Sequence, residues 1–271
     1  MWYNDLGFYE NPFDANASHK LVGYEGIIDD VLYNISAGNI IFIEGKEGTG
    51  KTSVLKKAIQ KFMGRGKVAY IECEKVKSLN IEEVLKGKNS LIERLFKKMP
   101  AGMIVLMDDI AELDKKNTER VKYFYDQNYI KSIVFAGESY AKANFSESLK
   151  DRIKAVIKIN ELKDYEAIDI LNSRLGDKKL ISDDIAREIF ERTDGNPKRF
   201  LNACEELCKK ISETKEPSVT IDHVNSMYPH AQKKEQPEKL KKNIAKKKSK
   251  EEENPQKLNV IYEEDIAERY Y

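Results

Sequence analysis

The sequence predicts an α/β chain: a five-stranded parallel sheet with helices on both faces, then a small all-helical region, then a charged tail. Three observations carry this. Five short, near-continuous apolar runs alternate with helix-patterned segments between residues 39 and 159, as expected of strands buried on both faces. From about residue 160 the strand-like runs stop and only helical periodicity remains. Beyond Pro229, the stretch from Lys233 to Lys250 is dense in lysine and almost without apolar residues. Such a stretch buries too little surface to offset the entropy of ordering it. The expected units are therefore 1–159, 160–229 and 230–271.

Taken in order, residues 1–20 are irregular but rich in aromatics (Trp2, Tyr3, Phe8, Tyr9 and Phe13), a composition suited to packing across a core edge. An amphipathic helix then runs through Ile27, Ile28, Val31, Leu32 and Ile35 and closes at Gly38. The first strand is Asn39 to Glu44 and the second is Val68 to Ile71, with a helix at 53–59 between them. Two short helical patterns follow, Ile81–Leu85 and Leu91–Phe96, before the break at Pro100-Ala101-Gly102. Met103 to Met107 is the third strand and runs into Asp108-Asp109; a helix at 117–127 leads to the strands Ser132–Ala136 and Ala155–Ile159. The helical region divides into 164–175, 182–193, 197–213 and 220–228, with N-cap signals at Asp164 and Ser182.

Composition narrows the class. Lys plus Arg number 47 against 46 Asp plus Glu, so overall charge does not single out nucleic acid as a partner. A mean hydropathy of −0.61, apolar runs of four or five residues and a start lacking a signal-peptide pattern predict a cytoplasmic protein without membrane insertion. Cys73, Cys204 and Cys208 form no CxxC pair; the i, i+4 spacing of the last two on a helix favours buried thiols over a disulfide or zinc site.

The chemistry centres on Gly45-Lys46-Glu47-Gly48-Thr49-Gly50-Lys51-Thr52, which completes the spacing GxxxxGK(S/T) between a strand and a helix. Glycines let backbone amides approach phosphate oxygens, and a helix N-terminus adds unpaired N–H groups and positive dipole. Gly45, Glu47, Gly48, Thr49, Gly50, Lys51, Thr52 and Ser53 are therefore the expected phosphate-binding residues. Lys51 is expected at the β- and γ-phosphates and the Thr52 hydroxyl at Mg²⁺. The motif marks a P-loop and predicts binding of a nucleoside triphosphate.

Asp108 ends an apolar strand, where ligands bind in open α/β sheets, and reads as the second metal residue. Asp109 is a candidate to orient the attacking water, one methylene shorter than glutamate. Glu138 and Ser139 follow the strand 133–136 and are candidates to sense the γ-phosphate; a plain turn is the alternative. Arg152 is a candidate to stabilise charge on a neighbouring subunit's γ-phosphate, with a structural ion pair as the alternative. Lys198, in Gly195-Asn196-Pro197-Lys198-Arg199, is a candidate cation folding over the phosphates from the helical side.

In this order the motifs Asn-Pro-Phe (11–13), Leu-Val-Gly-Tyr-Glu (21–25), GKEGTGKT (45–52), MIVLMDD (103–109), IVFAGES (133–139), LKDRI (149–153) and GNPKRFLNAC (195–204) resemble those of AAA+ P-loop ATPases. The likeness is closest to the branch holding the ExeA/GspA secretion ATPases, the TnsC/TniB transposition ATPases and the archaeal initiators, and it covers roughly residues 8–228. The resemblance implies a five-stranded nucleotide domain with a helical lid, ATP with Mg²⁺, adenine near Val22 and Gly23, and homo-oligomers with nucleotide between subunits. It assigns Lys51 and Thr52 to Walker A, Asp108 to Walker B and Arg152 to an arginine finger. Asp109 departs from the usual glutamate, Glu138 from a neutral amide, and Lys198 from the lid arginine, with Arg199 one residue late. The length beyond the lid leaves no room for the initiators' winged-helix domain.

Two functions stay open at this level. One is an ATPase that turns ATP into ADP and phosphate to control assembly with a partner. The other is a nucleotide-dependent switch that binds ATP with little turnover, which tandem Asp108-Asp109 also suits. The only concentrated basic patch, 233–250, lacks interleaved aromatics, which favours a solvated linker over a nucleic-acid surface. The apolar, aromatic stretch from Leu258 to Tyr271 is a candidate docking segment for a protein partner.

Overall fold

The computed structural model describes residues 1–14, 21–62, 68–73, 79–86 and 101–229. Five parallel strands, β1 (Ile40–Glu44), β2 (Val68–Glu72), β3 (Met103–Asp108), β4 (Ile130–Gly137) and β5 (Ile153–Lys158), form one sheet in the order β2-β3-β4-β1-β5. The strand bearing the P-loop thus lies inside the sheet, and its C-terminal end opens between β4 and β5. Around the sheet lie α1 (Trp2–Asp5), α2 (Glu25–Ala37), α3 (Lys51–Phe62), α4 (Ile81–Lys86), α5 (Lys115–Asp126) and α6 (Glu147–Lys150). The helical region holds α7 (Asp164–Leu175), α8 (Asp183–Arg192), α9 (Pro197–Thr214) and α10 (Ile221–Met227).

Alternation along the strands divides the core in two. Ile41 and Ile43 of β1 join Ile104, Leu106, Val134 and Ala136 beneath α2 and α3, in a cluster that continues into the helical region through Leu162, Ile168 and Cys204. Ile40 and Phe42 face the other way, with Val105, Met107, Ile133 and Phe135, beneath α4 and α5. Both faces are covered, which explains strands without polar alternation. The edge strand β5 carries exposed Lys154 and Lys158, charges that blunt an unpaired edge.

Local signals place several boundaries. Gly38 ends α2 at φ +80°, its N–H donating to Asn34 O and Ile35 O, the left-handed closure that glycine permits. Ser182 caps α8 by accepting from the Ile185 N–H, and Asn196 caps α9 from the Arg199 N–H. Asp164 is not a cap. It is the first residue of α7, and Glu166 instead accepts from the Lys163 backbone N–H at 2.7 Å. The fourth and fifth strands begin two residues before their apolar runs, at Ile130 and Ile153, because pairing to β3 and β1 extends over the exposed Lys131 and Lys154. The pattern Leu91–Phe96, the glycine punctuation at 64–66 and the tail 230–271 lie outside the described residues.

The aromatic N-terminus packs mainly on the helical region. Trp2 stacks on Phe13 at 6.3 Å, the Ser212 hydroxyl donates to Trp2 O, Asn11 bonds Glu205, and Arg174 bonds Pro12 O. Trp2–Asp5 forms a helical turn there, where the sequence pattern alone suggests irregular chain. Cys73, Cys204 and Cys208 are free and buried, and burial pushes the thiols of Cys73 and Cys208 up to about 12.

Candidate functional site

The loop 45–50 leaves the C-terminal end of β1 and enters α3 directly. Its start is tied to the neighbouring strand by Gly45 N–H donating to Gly137 O at 3.1 Å. Gly48 and Gly50 sit at φ +78° and +99°, a region costly for residues with a Cβ. The first helical bond is Val54 N–H to Gly50 O at 3.0 Å. The amides of Lys51, Thr52 and Ser53 therefore precede the i−4 ladder, as donors at a helix start do. This is a cradle suited to anionic oxygens.

Lys51 Nζ donates to Gly45 O at 2.6 Å and to Lys46 O at 3.0 Å, across the mouth of the loop. Burial lowers the pKa of its ammonium below the ordinary value, while Asp109, Glu138, Asp108 and Glu47 pull it back up, in that order. The four carboxylates singled out from sequence thus share one electrostatic neighbourhood around Lys51.

Thr52 and Asp108 meet across the face of the sheet. The Thr52 hydroxyl donates to Asp108 Oδ2 at 2.6 Å, and the Asp109 N–H donates to Asp108 Oδ1 at 3.1 Å. Asp108 is buried, whereas Asp109 and Glu138 are exposed at the strand ends. Asp109 holds φ +50°, ψ +68°, a left-handed conformation that costs a non-glycine residue about 1–2 kcal/mol. Its position beside a buried carboxylate matches the pattern of strain kept at functional sites.

A hydroxyl, a buried carboxylate and a phosphate cradle form a hard-oxygen set that fits Mg²⁺, which keeps several waters and uses few protein ligands. Among the described residues no group of three or more His, Cys, Asp or Glu could hold a metal by itself. The donor chemistry therefore fits a cation completed by phosphate oxygens.

Three contacts here have no signal in the sequence. The Tyr24 hydroxyl donates to Thr49 O at 2.7 Å; burial, aided by Glu166, raises its pKa to about 12, which keeps it a donor. A Cβ at Gly50 would lie 3.1 Å from that hydroxyl, so Tyr24 forms the floor of the loop. Tyr70 on β2 donates to Asp108 Oδ2 at 2.8 Å, its hydroxyl pushed well above the usual range by burial and by Asp108. Asn196, the cap of α9, donates to Glu47 O at 2.8 Å. The motif GNPKR points to the region but not to this contact.

The helical region closes on the loop. Lys198 pairs with Glu47 at 3.1 Å and its backbone N–H donates to Gly48 O at 3.3 Å; Lys46 pairs with Glu161 at 2.5 Å. Lys198 thus stands beside the loop, with Arg199 turned to Asp194. Gly23, at φ +80°, packs against Leu162 and Glu166 at the start of the helical region, with half-buried Val22 beside it.

Arg152 is not in this cluster. It precedes β5, pairs with Asp126 at 3.3 Å, and lines a cavity of about 460 Å³ with Gly38, Gly102, Asn128 and Lys131 at the N-terminal ends of the strands. The loop lies at their C-terminal ends.

Comparisons with known proteins agree with this fold. Residues 37–167 match the family model described as an AAA domain. Cdc6p from Pyrobaculum aerophilum superposes with a TM-score of 0.64 at 17% identity, over 79% of this chain and 69% of that one. The Orc1 protein of Aeropyrum pernix, solved with DNA, gives 0.64 at 16%, over 79% and 67%. RuvB of Thermotoga maritima, a Holliday junction branch migration motor, gives 0.58 at 14%, over 80% and 72%. No curated protein matches the chain by sequence. Among the described residues no helix is long and apolar enough to cross a membrane.

Proposed function

We propose that this chain, matched over residues 37–167 by the model of an AAA domain, is an AAA+ P-loop protein that binds ATP with Mg²⁺ and hydrolyses it to ADP and phosphate in order to control assembly on a partner. The observation that carries this reading is the 2.6 Å bond from Thr52 to Asp108. It joins the last residue of the P-loop motif to the aspartate ending β3, as a Walker A and Walker B pair must be joined.

In this reading Gly45, Glu47, Gly48, Thr49, Gly50 and Ser53 hold phosphate oxygens, chiefly through backbone amides. Lys51 transfers its hydrogen bonds from the Gly45 and Lys46 carbonyls to the β- and γ-phosphates. Thr52 and Asp108 would hold Mg²⁺, which would supply positive charge to neutralise the phosphates. Asp109 orients the attacking water, Glu138 borders the γ-phosphate, Lys198 approaches from the lid, and Val22 and Gly23 lie against the adenine. Asp109 is one methylene shorter than glutamate, which sets its carboxylate farther from the γ-phosphate. That favours slow turnover and keeps the ATP-dependent switch as a second reading.

Steady-state hydrolysis by wild type and Asp109→Asn, with oligomeric state followed in ATP and in ADP, tests this. Turnover that falls at least tenfold in the variant, with ATP affinity retained, supports the hydrolase. Tight ATP binding with negligible wild-type turnover establishes the switch, and absence of nucleotide binding removes both.

DNA is the partner class that the similar structures favour, since the Aeropyrum pernix protein and a Drosophila ORC were solved bound to DNA. In this chain the lysine-rich stretch 233–250 is the segment suited to it. Its contact would be with phosphates, so affinity is expected to fall steeply between about 50 and 200 mM salt, as a power of the salt concentration whose exponent is set by the number of phosphate contacts. Deleting 233–250 is expected to abolish binding in an anisotropy assay with duplex DNA; unchanged affinity would remove the tail from the interface. The stretch 258–271 is proposed as a docking segment for a protein partner.

A further inference from the structure

We propose that Tyr70 is a positioning residue for the divalent cation, setting how tightly the site holds Mg²⁺ by fixing the Asp108 carboxylate from the strand side. The inference rests on the reading that Thr52 and Asp108 hold the metal.

Among the described residues, Asp108 receives three donors. Thr52 and Tyr70 both donate to Oδ2, at 2.6 and 2.8 Å, and the Asp109 N–H donates to Oδ1 at 3.1 Å. The three come from separate elements: α3, β2 and the turn after β3. Thr52 has one proton and would keep it on Asp108 while offering a lone pair to a cation. Its oxygen then serves two partners and cannot alone fix the plane of the carboxylate. Tyr70 faces no such conflict, because its hydroxyl is held on Asp108 and belongs to neither the loop nor α3.

The register explains how the phenol reaches. Tyr70 pairs with Leu106 and Glu72 with Asp108 in the parallel ladder of β2 and β3. Tyr70 and Asp108 therefore share a face as diagonal neighbours two residues apart, a separation that a long side chain spans. The ring packs against the same buried cluster as Leu106 and Val54, which anchors the hydroxyl on the rigid sheet. Mg²⁺ demands near-ideal octahedral geometry. Partners that orient its ligands are typically worth about 10–100-fold in metal affinity.

The test uses the full chain and a fluorescent ATP analogue titrated in EDTA and over a range of Mg²⁺. Tyr70→Phe keeps the ring and removes the donor. It is expected to leave EDTA-condition affinity within about twofold of wild type and to raise the half-saturating Mg²⁺ by about tenfold. Tyr70→Leu, a second variant with a different packing cost, is expected to show the same Mg²⁺ shift. An unchanged Mg²⁺ midpoint in both variants overturns the proposal. So does an equal loss of affinity with and without Mg²⁺, which is what a merely structural residue would give. A wild-type chain whose nucleotide binding ignores Mg²⁺ removes the parent reading instead, so the two failures are distinguishable.

Discussion

Lys51→Ala is expected to lower ATP turnover by about 100- to 1,000-fold, the usual consequence of removing one preorganised charge from a phosphoryl-transfer site. The structure lets two effects be weighed. One is the lost cation at the β- and γ-phosphates. The other is local, since Lys51 donates to Gly45 O and Lys46 O and the alanine would leave those carbonyls to water. Lys46 is exposed but Gly45 is buried, so the lost bonds cost about 1–3 kcal/mol of stability. The charge effect, about 2.7–4 kcal/mol, acts on the transition state and is what turnover reads. Melting temperature should therefore fall by a few degrees while kcat collapses and ATP affinity weakens. Turnover within a few-fold of wild type would take Lys51 out of the reaction. A fall in melting temperature matching the loss of turnover would make its role the closing of the loop.

The sheet and the loop are legible in the sequence because their signals are local. Five apolar runs, a complete GxxxxGK(S/T) and a strand ending in Asp108 need no knowledge of neighbours, and the observed elements follow them to within a few residues. Asp164 looks like a cap because Lys163, with no side-chain acceptor, precedes it; the helix instead starts at Asp164, and Glu166 reaches back to accept from the Lys163 N–H. Tyr70 is invisible for a different reason. Its part depends on β2 lying beside β3 in a register that sets Glu72 opposite Asp108, and a one-residue slip would turn the phenol to the other face. Strand order and register are properties of the folded sheet, not of either strand. Tyr24 and Asn196 are similar, with contacts 25 and 149 residues away in sequence.

The lid contacts bear on the same loop. Glu47 receives Lys198 on its side chain and Asn196 on its carbonyl, while Lys46 reaches Glu161. The side chains of Lys46, Glu161, Lys198 and Glu47 are all more than half exposed, so solvent screens each ion pair and it adds little to stability. In the proposed reading they are weak enough to be exchanged once phosphates enter the loop, which would let the helical region report on occupancy through Lys198, as both the hydrolase and the switch require.

Arg152→Ala is expected to leave ATP affinity and stability nearly unchanged and to lower turnover by about 1,000-fold, the scale of an arginine supplied in trans. The geometry forbids action on its own subunit's phosphates. Arg152 stands at the N-terminal end of β5, and strands of five or six residues separate that end of the sheet from the loop by roughly 16–20 Å. Its ion pair with Asp126, at 3.3 Å, leaves the guanidinium 56% exposed, so breaking it costs less than about 1 kcal/mol. A catalytic loss is then expected to come through a neighbouring copy. Mixing decides the matter. A Lys51→Ala subunit has a disabled loop but an intact Arg152, and an Arg152→Ala subunit has the reverse. Two preparations that are each inactive should recover measurable turnover when combined, because some interfaces join an intact loop to an intact arginine. Full activity of Arg152→Ala by itself would leave the residue as a partner of Asp126 only. Inactivity without recovery on mixing would place its effect within the subunit, against the distance across the sheet.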